Sequence, residues 1–245
     1  MNKLETNKET WDKVAEHFFS HSALPIWGPF GIGRGMDLIG GVKNKTFLDI
    51  GFGSGHSIKH LVKKGAKKVY GVDISKSQFD FASKLNKKSI GLGKVELFER
   101  NMERPLKIAP VDVVYSVYAF GWTVDPKKSL KNVYSYLKPG GKFIWSWDHS
   151  FFTDVEDKSD SLVVKYSYHD EHELFLKNWK GGGPIYITYR KTSTWFKLLR
   201  EAGFNIIGYL EPGPVIKKDL GKSHYTIHKA KNIPCSMIWV CEKPK

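Results

Sequence analysis

Arginine is scarce in this chain. Of 39 basic residues among 245, only Arg34, Arg100, Arg104, Arg190 and Arg200 are arginines. The formal net charge of +14 therefore rests on lysine. Forked recognition of phosphates and bases leans on arginine, so a nucleic-acid partner stays open but is not favoured. The lysines fall in clusters such as Lys63, Lys64, Lys67 and Lys68, or Lys127, Lys128 and Lys131, which read as solvated helix faces. Cysteine is nearly absent. Cys235 and Cys241 lie in one apparent strand, too far apart along an extended chain to bridge each other. No Cys-x-x-Cys pair or zinc-type spacing occurs, so no metal is expected. Long apolar runs are missing too. The most apolar stretch, residues 111–122, contains Asp112 and falls short of the ~20 residues that span a bilayer. The N-terminal residues are polar, without an apolar signal core, so a cytoplasmic protein with no membrane partner is expected. Internal repeats are lacking as well. Aromatic residues, by contrast, are plentiful (8 Trp, 11 Tyr, 15 Phe), enough for a large core and a stacking pocket.

The strongest local pattern is a glycine-dense turn. It reads Thr46-Phe47-Leu48-Asp49-Ile50-Gly51-Phe52-Gly53-Ser54-Gly55, and Val69-Tyr70-Gly71-Val72-Asp73 follows it. An apolar strand runs into glycines that can take positive φ and let the backbone approach a ligand with no Cβ in the way. A lone carboxylate ends the next strand, placed to accept hydrogen bonds from a ribose diol. Turn or capping carboxylates are the competing reading of Asp49 and Asp73. Two acids that each end a strand favour an adenosine-containing cofactor.

Strand and helix alternate through the middle of the chain. Strands are expected at Thr46–Ile50, Lys68–Asp73, 95–100, Val111–Val117 and 142–147, with helices at 57–64, 75–88 and 126–137. Ser75 is placed to cap the second helix, and Pro126 stands at the favoured first position of the third. This order predicts an α/β fold with a doubly wound, mostly parallel sheet and helices on both faces. The alternation then breaks. An acidic linker at 154–160 and strand-like runs at 162–168, 172–179 and 185–189 predict an inserted antiparallel flap. Residues 192–202 read as helix, 204–210 and Ser236–Glu242 as strands, and 217–232 as loop. The expected organisation is one domain over 1–245. It divides into a lid (1–40), a cofactor-binding core (41–150), the flap (151–191) and the end of the core (192–245).

Spacing separates two kinds of cofactor. A nicotinamide or flavin fingerprint, Gly-x-Gly-x-x-Gly, needs glycine where His56 stands. The motif Asp49-Ile50-Gly51-Phe52-Gly53-Ser54-Gly55 instead resembles the first motif of class I S-adenosylmethionine-dependent methyltransferases. Val72-Asp73-Ile74-Ser75 resembles their second. Tyr136-Leu137-Lys138-Pro139-Gly140-Gly141-Lys142-Phe143 is similar to the approach to their fifth strand, and Leu199-Arg200-Glu201-Ala202-Gly203-Phe204 to their late helix-to-strand join. The resemblance runs from about residue 10 to the end. It implies a Rossmann-like sheet of seven strands and S-adenosylmethionine as cofactor. It also implies that the backbone at Gly51, Phe52, Gly53, Gly55 and His56 passes along the methionine end. Asp49 would face the ammonium, Asp73 would hold the ribose, and Ile74 and Gln78 would lie beside adenine. Asn101, with Met102 and Glu103 beside it, stands at the usual place of an adenine-contacting acid. Ser116 and Val117 would offer carbonyls to the ammonium.

The methyl acceptor is expected over the ends of the fourth and fifth strands. His149 supported by Asp148 is the expected base, against the competing reading of a locally bonded loop histidine. Tyr118 is a further candidate there, and Trp122 and Trp147 are expected to line the pocket. The amphipathic segment Glu9 to Phe19 and the aromatic loop from Ala23 to Gly31 predict a lid. Trp11 would touch the cofactor and Trp27 the acceptor, against plain packing of both. The expected activity is methyl transfer to O, N or C of a small molecule by a monomer or homodimer. An RNA-directed enzyme and a non-catalytic S-adenosylmethionine binder are the rival readings. No Asn-Pro-Pro-Tyr follows the fourth strand, and the one Pro-Cys, at 234–235, is remote from it.

Overall fold

A computed structural model of the chain describes residues 2–21, 23–220 and 224–245. Helix α1 (Lys3–Val14) starts where the Asn2 side chain accepts from the Leu4 amide, and a 3-10 turn (Ala15–Phe18) extends it. The expected helix over 9–19 thus begins earlier and ends as a tighter turn. A loop leads to β1 (Thr46–Ile50), α2 (His56–Lys63) and β2 (Lys68–Asp73). Next come α3 (Lys76–Leu85), α4 (Lys87–Gly91) and β3 (Val95–Glu99). The single helix expected over 75–88 breaks at Asn86, whose side-chain amide donates to the Gly55 and Ala82 carbonyls. After β4 (Val111–Val117) a 3-10 turn (Phe120–Trp122) precedes α5 (Pro126–Tyr136) and β5 (Leu137–Asp148).

The insertion is antiparallel, as expected, and divides into two ribbons. Helix α6 (Ser150–Asp154) and β6 (Val155–Asp157) replace the linker. Among the described residues β6 pairs only with β7 (Leu162–Val164), and β8 (Glu173–Leu176) only with β9 (Ile185–Thr188). The flap is therefore two short antiparallel ribbons. β7 and β8 bury no residue, whereas β9 buries Ile185 and Ile187. Helix α7 (Thr192–Glu201) and β10 (Asn205–Leu210) follow. In the stretch expected as loop, α8 (Ile227–Asn232) forms because the Thr226 side chain caps it; residues 221–223 lie outside the described residues. β11 (Ser236–Glu242) ends the fold.

The seven strands lie in the order β10-β11-β5-β4-β1-β2-β3, with β11 antiparallel to both neighbours. Chain direction reverses its march between β1 and β4, which opens a crevice at their carboxyl ends. Side chains alternate across the sheet: Phe143, Trp145 and Trp147 enter one core with Trp195 and Trp239. Ile144 enters the other with Phe47, Tyr115 and Ile238. Each core is covered by helices, so the strands are apolar on both faces.

Candidate active site

Three glycines bend the chain over the β1 end, all left-handed: Gly51 (φ 73°), Gly53 (52°) and Gly55 (78°). A Cβ on Gly51 would overlap the Ala119 methyl, and one on Gly55 would come within 2.8 Å of Ala82 Cβ and Asn86 Nδ2. Asp73 pins the turn. Its carboxylate accepts from the Gly53 amide and the Ser75 amide, both at 2.9 Å. Burial pushes its pKa up to about 6 against these hydrogen bonds. Asp49 is 2% exposed and accepts from the Tyr115 hydroxyl at 2.8 Å. Burial pushes it up to about 8, opposed by that hydroxyl and reinforced by the charge of Asp73.

Other expected positions are arranged unevenly. Gln78 is buried at the head of α3, and its Oε1 has no partner among the described residues. That oxygen is the nearest atom, at 3.9 Å, to where a Gly53 Cβ would stand. A buried, unpaired acceptor aimed at a glycine turn fits a ligand with polar hydrogens. Half-buried Ile74 lies at the same rim. His56 Nδ1 meets Ser54 Oγ at 2.9 Å, and Ser54 also accepts from the Ser20 amide. Ser116 donates to the Ile50 carbonyl and, like Val117, is buried; only their backbone can reach a ligand. Phe52 likewise turns its ring into the core beside Gly71.

The segment after β3 departs from expectation. Asn101 Oδ1 already accepts from the Glu103 amide at 3.0 Å, so it is engaged in its own turn. Glu103 Oε1 accepts from the amides of Val124 and Asp125, which binds it to the segment entering α5 rather than leaving it free for a ligand. Met102 packs on the core, and its carbonyl accepts from Asn132.

The N-terminal segment expected as a lid is fastened at several points. Asp12 accepts from Ser75 Oγ at 2.7 Å and from the Ser77 amide at 3.1 Å, directly beside Asp73. Asn7 gives and takes a 2.8 Å hydrogen bond with the Tyr186 backbone of β9. Trp11, Trp122 and Trp179 touch pairwise with ring centroids 5.0–5.5 Å apart and steep interplanar angles. Trp147 meets Trp122 at 5.5 Å. Lid, flap and the β4 and β5 ends therefore converge on one aromatic cluster. Trp27 is not part of it. It is 1% exposed and packed in the opposite core against Gly33, so the expected acceptor contact is replaced by packing.

The His149–Asp148 pair is also corrected. Asp148 ends β5 while His149 caps α6, and the two side chains find different partners. His149 Nε2 meets Glu211 at 2.8 Å, and its Nδ1 accepts from the Phe151 amide as the cap of α6. Burial lowers its pKa while Glu211 opposes. Asp148 instead accepts from the Tyr225 hydroxyl at 2.6 Å, while the Tyr118 hydroxyl bonds Ser236 Oγ and donates to the Cys235 carbonyl at 3.4 Å. The pKa of Asp148 is pushed up to about 6 by burial, against both phenols and the charge of Lys229. Tyr118 has φ 54°, a costly backbone for a side chain of this size, at the mouth of the β4 end. Lys229 is 1% exposed, with its ammonium 3.9 Å from the Phe152 ring centre. Burial pushes it down to about 8. Sequence reasoning missed Asp12, Trp179, Tyr225 and Lys229. An acid beside Trp11 on an amphipathic helix was a usable signal for the first; Lys229 sits in a lysine-rich stretch that gives none.

A glycine turn with two strand-end acids at the switch point of this sheet defines a nucleoside-cofactor enzyme of the Rossmann-like class. Residues 48–145 match the methyltransferase domain family model. That match and the shared fold support S-adenosylmethionine-dependent methyltransferase activity. A Haemophilus influenzae protein is 26% identical over 72% of this chain and 74% of its own length. A ubiquinone biosynthesis O-methyltransferase of Coxiella burnetii is 28% identical over 58% of this chain and 65% of its own. The structure of an S-adenosylmethionine-dependent methyltransferase from Mesorhizobium loti superposes with a TM-score of 0.72 at 19% identity, covering 88% of this chain and 99% of that one.

Proposed function

We propose that the enzyme methylates a small-molecule acceptor held between the lid, the flap and the ends of β4 and β5. The observation that carries this reading is the tryptophan cluster. Trp11 from the lid and Trp179 from the flap meet Trp122 and Trp147 of the core, so two covers close over the site. Such enclosure excludes water from a small acceptor and leaves little access for a polymer. The relative named as a ubiquinone biosynthesis O-methyltransferase is consistent with an acceptor of this size.

S-adenosylmethionine, when bound, supplies an activated methyl group. Gly51, Gly53 and Gly55 would pass its methionine end, Asp49 would balance its ammonium, Asp73 would hold the ribose and Gln78 Oε1 would accept a hydrogen bond from it. For a hydroxyl acceptor, Tyr118 and Asp148 form the proton-accepting pair. Asp148 is ionised above about pH 6. His149, held by Glu211, orders α6 instead. Most of the rate enhancement comes from positioning, since an in-line displacement needs little else.

Two measurements test the proposal. Calorimetric titration with S-adenosylhomocysteine should show Asp73→Ala binding at least tenfold more weakly than wild type; equal affinity refutes the ribose assignment. Methyl-labelled S-adenosylmethionine incubated with the enzyme and a fractionated cell extract should label the small-molecule fraction. Label appearing in RNA or protein instead refutes the acceptor class.

A further inference from the structure

The cofactor turn and acceptor site occupy the carboxyl end of the sheet, and positive charge collects at the other end. β1, β2 and β3 are parallel neighbours, so residues 43–45, 63–68 and 87–94, which precede or start them, share one rim. Backbone hydrogen bonds tie these segments together. The Asn44 amide donates to Gly65 at 2.9 Å, the Lys67 amide to Lys45 at 2.8 Å, and the Val69 amide to Lys94 at 2.9 Å. Lys43, Lys63, Lys64 and Lys67 are exposed there, as are Lys87, Lys88 and Lys94. The nearby acid Glu96 pairs with Lys68 at 3.0 Å. Under β4 and β5 the rim continues with exposed Lys107 and with Lys138, which pairs with Asp112.

Helix dipoles favour lysine at helix ends. That accounts for Lys63 and Lys84, in the last turns of α2 and α3. It does not account for Lys43, Lys67 and Lys94 in loops, nor for Leu92. This leucine stands in the turn between α4 and β3 at 63% exposure, more than any other exposed large apolar residue described. The three segments contain neither arginine nor an aromatic ring. A nucleic-acid groove would be expected to offer forks and stacking surfaces. A rigid lysine rim with one protruding leucine suits a flat, anionic, partly apolar surface instead.

We propose that this rim docks the enzyme on an anionic lipid bilayer, with the lysines at headgroup phosphates and Leu92 at the interface. Surface attachment of this kind needs no spanning helix. The site then opens away from the membrane.

The test is cosedimentation of the full chain with vesicles of equal phosphatidylglycerol and phosphatidylcholine, or of phosphatidylcholine alone. Binding is expected on the anionic vesicles only, and it should fade between ~50 and ~300 mM salt. Each lysine near the surface contributes about fivefold in affinity, so K63Q/K64Q/K67Q together should weaken binding roughly 100-fold. Leu92→Ser should weaken it several-fold without changing its salt dependence. Both variants should keep wild-type affinity for S-adenosylhomocysteine, because the rim lies at the opposite end from the glycine turn. A K87Q/K88Q/K94Q variant provides an independent loss should the first triple be unstable. No binding to anionic vesicles, or equal binding to phosphatidylcholine, overturns the proposal. So does an oligouridylate bound more tightly than the vesicles, with Leu92→Ser leaving vesicle binding unchanged.

Discussion

Replacing Gly51 with alanine tests the site at its most constrained point. The residue has φ 73°, a region that costs an alanine roughly 1–2 kcal/mol. The new methyl would also overlap that of Ala119 at the β4 end, and forcing a methyl into filled space costs about 1–3 kcal/mol. The expected destabilisation is about 2–5 kcal/mol, or roughly 4–20 °C in melting temperature for a chain of this size. The two contributions can be separated. Once the Ala119 methyl is removed, the nearest atom to the new methyl is Ala119 Cα at 3.5 Å, an ordinary contact. The double variant Gly51→Ala/Ala119→Gly should therefore recover the steric part and keep the backbone part. Urea unfolding of the four proteins gives the coupling directly, and S-adenosylhomocysteine calorimetry reports whether the turn still admits ligand. Additive losses, or a single variant as stable as wild type, would refute the close approach of the turn to β4.

Four further outcomes follow. Asp49 is raised to about 8 from an ordinary carboxyl value, so its contribution to stability is complete at low pH and is lost as pH rises from about 4 through 8. Melting temperatures of the ligand-free enzyme should fall over that window, helped by Asp73 and Asp148 up to about pH 6, and Asp49→Asn should flatten the fall. Lys229 is lowered to about 8, so it works in the other direction. The folded state sheds its proton before the unfolded chain does; stability therefore gains as pH rises above about 8, and Lys229→Met should remove that gain in the same scan. His149→Gln should cost about 1–2 kcal/mol in urea unfolding through the lost α6 cap, with S-adenosylhomocysteine affinity within twofold of wild type. A tenfold loss would return His149 to the binding site. Trp11→Ala removes three ring contacts of about 0.5–1.5 kcal/mol each. It should collapse the near-ultraviolet tryptophan dichroism and speed S-adenosylhomocysteine release in stopped-flow fluorescence; unchanged release would refute a closing role for the lid.

The parts of the fold that were legible in the sequence are those where local chemistry and tertiary position agree. Thr46–Ile50 and Val111–Val117 are apolar on both faces because both faces are buried, and the glycine turn announces itself through a backbone that only glycine adopts cheaply. The antiparallel insertion was legible from its alternation, clearest in β9, where Ile185 and Ile187 are buried; its division into two ribbons was not, because β7 and β8 bury no residue. Trp27 and Trp11 look alike in sequence, each in an aromatic leader. Only packing sends one to the core and the other to the cluster. Asp148 and His149 are adjacent in the chain, and that adjacency suggested a pair. The strand ends at the first and the helix cap begins at the second, and their partners, Tyr225 and Glu211, lie more than sixty positions away.

The side chain of Asn7 does more than hold the lid. Strand β9 pairs with β8 along one side, and on its other side the Tyr186 amide and carbonyl are both met by the Asn7 carboxamide, as a neighbouring strand would meet them. One residue of a helix thus stands in for a strand and blunts an open sheet edge. Loss of the first dozen residues would bare that edge and present a template for strand addition between molecules. A shortened form of this enzyme is therefore expected to fail first by self-association, before any weakening of its cofactor site is felt.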